Sequence, residues 1–334
     1  MKKRFLSLIL AIISALTVFS FTACGGDNSI IIFAAAEEER IAFLQTELDE
    51  QFPDYEIIIQ SVGTGEFFTK LQGEKQNIDC DIFFDLEVSN AERLIAEVPN
   101  LFYDLSSYDY SKYVANTKDF TGRHHYYAID CKMDLAFIVN KTVLGKTPIP
   151  ASYNDLKDPI YKDLIVMPDP KTSGTGYSFL SGMVAMVGET NALNYFASLD
   201  NNVKEYTTSG SAPMKSVNRG DAGIGVCMLW QGVNYKNANS NLEVVMLDDR
   251  TPFALYGMGV VNTHETKTGV LEVFEYLYNE ANQKCVEEFN TGNLYVGQAP
   301  STTPNFPANV NEIDLSAVIY DYNYKTSLID KWTF

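Results

Sequence analysis

The residues best equipped for chemistry stand between 172 and 176, in the run Thr172-Ser173-Gly174-Thr175-Gly176. Hydroxyls and small residues there follow Asp169-Pro170 and precede an apolar stretch. That placement puts Ser or Thr where a helix N-cap belongs. The first turn of a helix has free N–H groups and the positive end of the macrodipole. With hydroxyl donors added, and glycines that let a backbone approach a ligand, it makes an anion site. Comparable segments recur at Thr64 in Ser61-Val62-Gly63-Thr64-Gly65, and at Thr208, Ser209 and Gly210 in Thr207-Thr208-Ser209-Gly210-Ser211. A fourth, Ala34-Ala35-Ala36-Glu37, carries small residues in the same setting.

Each segment needs a strand before it and a helix after it. Leu164 to Val166, Tyr55 to Gln60, Val203 to Tyr206 and Ile30 to Phe33 read as those strands. The helices are expected over 179–187, 66–72, a short stretch after Pro213, and 37–48. Further strands are expected over 79–84, ending at Asp85, and over 135–140, 223–229 and 256–261, the last two on either side of a polar loop. Helices are expected near 89–97 and, long and amphipathic, over 268–290. Alternating strands and helices predict an α/β fold with mostly parallel sheets. In such sheets ligands bind outside the carboxyl ends of the strands, where the four junctions gather.

The amino terminus addresses the chain outward. Lys2, Lys3 and Arg4 precede an apolar run from Phe5 to Ala23, as in a secretory signal. Phe21-Thr22-Ala23-Cys24-Gly25-Gly26 resembles a bacterial lipobox, although Phe21 stands where Leu is usual. The resemblance implies lipidation of Cys24, a leader over 1–23 and a tether over 24–29. Losing the three leader cations takes the net charge from −18 to −21. So acidic a chain is a poor partner for nucleic acid, which needs clustered cations. Backbone N–H groups can still hold a small anion in it. Cys80, Cys131, Cys227 and Cys285 lack zinc spacing and read as buried thiols, though export permits disulfides whose pairing the sequence does not supply.

From about residue 30 to 292 the chain resembles ABC-transporter solute-binding proteins of the ferric-iron, phosphonate and hexose-phosphate type. FAAAEEERI, SVGTGEFFTKL, CDIFFD, PASYNDLKDPIYKDLIVMPDPKTSGTGYSFL, TTSGSAPMKSVNRGDAGIGV and YGMGVV carry the likeness, the fourth most specifically. The resemblance implies a two-lobed type II periplasmic-binding-protein fold, each lobe a mixed, mostly parallel sheet flanked by helices. Lobe 1 is expected over 30–128 and 250–334, and lobe 2 over 129–249. A monomer would close by a hinge over a small anionic solute and deliver it to an ABC permease. The implied location is the outer face of the cytoplasmic membrane. Carried over by position, the cleft takes Ala36, Thr64, Asp85, Ser173, Gly174, Thr175, Thr208, Ser209 and Gly210.

Trp230 is a candidate to face an organic tail, or core at the end of a strand, and Asp85 to receive hydroxyls or an amine. Asp221 reads as an exposed turn beside Arg219 and Gly220. Ferric-binding members resemble one another in a tandem tyrosine where this chain has Trp230 and Gln231. Iron is therefore the alternative to a phosphoryl or phosphonyl solute. Tyr126 and Tyr127, beside His124 and His125, are expected to line the cleft or pack at the lobe boundary, with metal ligation the minor alternative. No metal or other cofactor is expected. Enzyme chemistry is disfavoured: Gly-x-Ser-x-Gly and Gly-Lys-Ser/Thr are absent, and histidine occurs only at 124, 125 and 264.

Overall fold

The computed structural model of the protein describes residues 29–114, 117, 125–315 and 321–334. The leader, Cys24, the tether up to residue 28, and His124 lie outside the described residues. The described residues begin in β1 (Ser29–Ala34), whose six residues are all buried. An unbroken apolar run is what a strand covered on both faces requires. α1 (Glu38–Gln51) leads to β2 (Glu56–Ser61), parallel to β1 with Ile30 opposite Ile57. α2 (Thr64–Glu74) leads to β3 (Ile82–Glu87), parallel to β1 on its other side, and α3 (Val88–Glu97) follows. β3 begins three residues later than the sequence suggests and runs through Asp85 to Glu87.

The thirteen residues of β4 (Ala128–Asn140) are all buried. Asn140 then caps the short α4 (Lys141–Leu144), accepting from Thr142 and Val143 N–H. The second half of the chain repeats the first. β5 (Ile165–Pro168) has β6 (Val203–Thr207) parallel on one side and β7 (Ile224–Met228) parallel on the other. α5 (Gly174–Val187) and α6 (Glu189–Leu199) connect β5 to β6, α7 (Ala212–Arg219) connects β6 to β7, and α8 (Leu229–Ala238) follows β7. The polar loop expected after β7 is thus α8 together with β8 (Leu242–Val245). Four residues with Glu243 among them carry too little alternation to be recognised.

The chain returns through β9 (Phe253–Val260), α9 (Val270–Tyr276), a π-helical turn (Leu277–Ala281) and α10 (Asn282–Phe289). The long helix expected over 268–290 is therefore one rod with a π turn in its middle. The strand order is β2-β1-β3-β9-β4-β7-β5-β6, with β8 also paired to β4. Each half is a parallel trio, ordered second-first-third, beside an antiparallel strand: β9 for the first and β4 for the second. β4 serves both halves. Ala128–Asp134 pair with β9 and Leu135–Val139 with β7, so the change of partner falls at Asp134/Leu135. The expected boundary at 128/129 coincides with the start of β4 instead.

The last helix, α11 (Tyr322–Asp330), touches both halves. Lys325 Nζ lies 2.6 Å from Glu87 and over the Tyr177 ring, 4.5 Å from its centroid. Lys331 pairs with Glu189 at 2.6 Å, and Trp332 is buried against Phe196 and Tyr206. The segment 250–334 therefore does not pack on the first half alone.

A buried ionic clasp secures the outer end of the first sheet. Asp81 accepts from Ile31 N–H, Lys267 Nζ and His264 Nδ1, while His264 Nε2 faces the Gln76 carbonyl at 2.9 Å. Both imidazole nitrogens thus face acceptors, and the bond to Asp81 raises the His264 pKa above 6.5. Burial pushes Asp81 up, but its bonds from His264, Lys267 and Ile31 outweigh this and hold it below 3.8. The histidine contribution is complete below pH 6.5 and fades as pH rises through the raised value. The aspartate contribution is complete above pH 3.8 and fades as pH falls through the lowered one. His264→Asn is therefore expected to lower the melting temperature clearly at pH 5.5 and much less at pH 9. Equal losses at both would remove the charged clasp from the account.

Candidate functional site

Five helices begin around one cavity of about 450 Å³, a volume usual for a small-molecule site. All ten residues singled out in the sequence line it: Ala36, Thr64 and Asp85 from the first half, and Ser173, Gly174, Thr175, Thr208, Ser209, Gly210 and Trp230 from the second. The parallel trios cause this convergence. The carboxyl ends of β1, β2, β5, β6 and β7 all open into the starts of α1, α2, α5, α7 and α8.

Ser173 occupies the N-cap of α5 in extended conformation, yet its hydroxyl does not cap the helix. Ser173 and Thr175 are 8% and 6% exposed, and neither hydroxyl has a hydrogen-bond partner among the described residues. They converge on Gly210. A Cβ there would overlap Thr175 Oγ1 and lie 3.1 Å from Ser173 Oγ. Two unengaged donors, the first N–H groups of α5 and an open glycine backbone thus meet in one corner. Ser209 is partly engaged, its hydroxyl 3.2 Å from that of Ser211.

The other glycines of the motif also answer to packing. A Cβ on Gly176 would lie 2.5 Å from Pro168 O and 2.8 Å from the Pro170 nitrogen. Gly176 is needed for α5 to start tight against the end of β5. A Cβ on Gly174 would meet Tyr256 Oη at 2.9 Å.

The opposite wall is acidic. Glu37, Glu38, Glu39 and Asp85 line it, and among the described lining residues Lys215 is the one cation. Asp85 is 3% exposed and has φ +60°, a left-handed conformation strained for a non-glycine residue. Its Oδ1 is 2.7 Å from Arg40 Nη1, and its N–H donates to Asp130 at 2.8 Å. With Cys131, Asp85 and Asp130 form a trio of potential metal ligands within 4.8 Å of one another. The guanidinium already bound to Asp85 repels a second cation there, and burial pushes the pKa of the Asp130 carboxyl and of the Cys131 thiol up.

Trp230 is both core and lining. It is 5% exposed, meets Phe289 edge-on and belongs to a small apolar cluster with Met133, Met228 and Tyr256. Gln231, Asn234 and Tyr235 of α8 extend this wall, with Met214 and Lys215 of α7 nearby. None of these had been singled out for the site except Trp230. Helical spacing after Trp230 is the signal that would have found the α8 residues.

Tyr126 and Tyr127 do not line the cavity. Tyr127 is buried in the first half, where its hydroxyl donates to Glu92 at 2.6 Å, and Tyr126 packs against the same core. The cleft wall expected of them is thus α8 instead. Asp221 lies on an exposed turn, 2.7 Å from Arg219. Cys80, Cys131, Cys227 and Cys285 are free and buried, and burial pushes the Cys285 thiol up to about 11.

A sequence profile of the family described as bacterial extracellular solute-binding protein matches residues 92–322. The chain belongs to that family. An uncharacterised protein of Haemophilus influenzae is 24% identical to this solute-binding protein over 345 residues, covering 98% of this chain and 97% of that one. Among solved structures it is similar to the periplasmic binding protein AfuA of Actinobacillus pleuropneumoniae, with exogenous fructose 6-phosphate bound. That match has TM-score 0.79 and 21% identity over 91% of this chain and 97% of that one. It is also similar to the periplasmic binding protein P5PA, with TM-score 0.77 and 21% identity over 91% and 98%. Iron-bound HitA of Pseudomonas aeruginosa gives TM-score 0.76 and 14% identity over 91% and 99%. The fold of this solute-binding protein is therefore the two-lobed type II architecture.

Proposed function

We propose that this exported solute-binding protein captures a small anion bearing a phosphoryl or phosphonyl group in the interlobe cleft, and delivers it to the permease of an ABC importer. The unengaged, nearly buried hydroxyls of Ser173 and Thr175 beside Gly210 carry this reading. A phosphate oxygen accepts several hydrogen bonds at once, and helix starts supply them without a cationic side chain. The ten residues singled out from the sequence are then among the solute contacts, and the change of partner along β4 is the hinge. The protein acts by binding, without catalysis and as a monomer.

Ferric iron is the second reading, favoured by the likeness to iron-bound HitA. Against it, the α8 start presents indole and amide in Trp230 and Gln231.

A thermal-shift screen tests the choice, since a ligand at a hundred times its Kd adds about 2.7 kcal/mol to stability. A rise in melting temperature with fructose 6-phosphate or 2-aminoethylphosphonate supports the anion reading. A rise with ferric iron alone supports the other.

No helix among the described residues is long and apolar enough to cross a membrane. Lipid on Cys24 is our reading of how the protein stays at the cell surface. Cys24→Ser is expected to move it from the membrane fraction to the soluble fraction. Continued sedimentation with membranes would sink the lipid tether.

A further inference from the structure

Arg40 is fully buried below the cleft floor, with its guanidinium 5.5 Å from the centre of the Phe84 ring. A buried guanidinium persists only when paired, and Nη1 is shared between Asp85 Oδ1 at 2.7 Å and Glu37 Oε2 at 3.3 Å. Both carboxylates line the cavity, whereas Arg40 does not. Three features hold Asp85 in one pose. Asp130 of β4 accepts its N–H, Cys131 Sγ lies 3.1 Å from Oδ1, and a bulge of β3 against β9 turns the backbone there. Oδ1 is thus engaged twice, while Oδ2 has no hydrogen bond among the described residues. The Glu37 side chain is 26% exposed, and burial raises its pKa despite the opposing pull of Arg40. One guanidinium therefore answers two carboxylates, and the wall facing Ser173 is short of donors.

We infer that Arg40 is a positioning residue that selects the solute: it holds Asp85 and Glu37 as a pair of acceptors for hydrogen-bond donors at the end of the solute remote from its anionic group. The inference rests on the cleft being the anion site proposed above. The donors are hydroxyls or an ammonium group, and both meet the same acceptors. A bare inorganic anion offers nothing to this wall, so the pair supplies discrimination that Ser173 and Thr175 cannot.

The test is titration of the soluble protein, truncated after Cys24, with inorganic phosphate, fructose 6-phosphate and 2-aminoethylphosphonate. The wild type is expected to prefer one of the two organic probes to inorganic phosphate by at least tenfold. The preferred probe assigns the donor as hydroxyl or ammonium. Arg40→Gln is expected to cut the preference to about threefold or less, and Arg40→Lys to restore part of it. A merely structural Arg40 would weaken all three probes in proportion, which would overturn the inference. Glu37→Gln, at a half-buried position, guards against failure of the Arg40 variants to fold and is expected to reduce the same preference. A preference unchanged in Glu37→Gln and in folded Arg40→Gln overturns this inference alone. Wild type that binds none of the three probes overturns the anion cleft as well.

Discussion

Ser173→Ala combined with Thr175→Ala is expected to weaken binding of the phosphorylated solute at least a hundredfold while leaving the unliganded protein folded. A hydrogen bond to a charged group contributes about 1.5–3 kcal/mol, so two make about 3–6 kcal/mol. Each 1.4 kcal/mol is tenfold in Kd. Removing a serine from an N-cap ordinarily destabilises a helix by about 1 kcal/mol. Here the Ser173 hydroxyl does not cap α5 and the Thr175 hydroxyl has no hydrogen-bond partner among the described residues, so little stability should be lost. Titration with fructose 6-phosphate and 2-aminoethylphosphonate, alongside melting of the free protein, separates the effects. An affinity within threefold of wild type for the probe that binds would remove the hydroxyl pair from the site.

The second large effect is expected on stability. Trp332 is 1% exposed, and its ring centroid lies 5.0 Å from that of Phe196, 4.9 Å from Phe334 and 5.9 Å from Tyr206. Truncating a buried tryptophan to alanine removes transfer energy and leaves a cavity, together about 3–5 kcal/mol. At roughly 2–4 °C per kcal/mol, the melting temperature of Trp332→Ala should fall by ~10 °C. A loss within 2 °C would mean that the segment after α11 is not anchored as described.

Sequence patterns made the site more legible than its supports. The hydroxyl-rich junctions are contiguous in the chain, and each sits where an apolar strand gives way to a helix. Ser173, Thr208 and Thr64 could therefore be picked out singly, and the parallel-sheet rule brought them together. Arg40 was not legible. After Glu37, Glu38 and Glu39 it reads as part of a solvated helix face, whereas its neighbours in the fold, Asp85 and Phe84 of β3 and Cys285 of α10, are remote in sequence. Tyr256 gave no warning either, because its neighbour Gly174 lies 82 residues away.

The same distinction holds for the fold. β1 and β5 announce themselves by apolar runs, whereas β8 and α11 are stabilised by contacts across the sequence. Lys325 of α11 reaches Glu87, and β8 pairs with β4 from Leu242 opposite Asn140 to Val245 opposite Phe137. Such pairings leave no local periodicity. Gly176 carried a readable signal with the wrong cause attached, since its missing side chain serves the close approach of Pro168 and Pro170 rather than of a ligand.

The central claim, an anion cleft for a phosphorus-bearing solute, is tested most directly by counting atoms. The soluble protein is dialysed to equilibrium against a mixture of fructose 6-phosphate, 2-aminoethylphosphonate and ferric citrate, and bound phosphorus and iron are measured together. Close to one phosphorus per chain, no iron, and loss of the phosphorus in the Ser173→Ala/Thr175→Ala variant are expected. One iron per chain without phosphorus, unaffected by those substitutions, would contradict the claim.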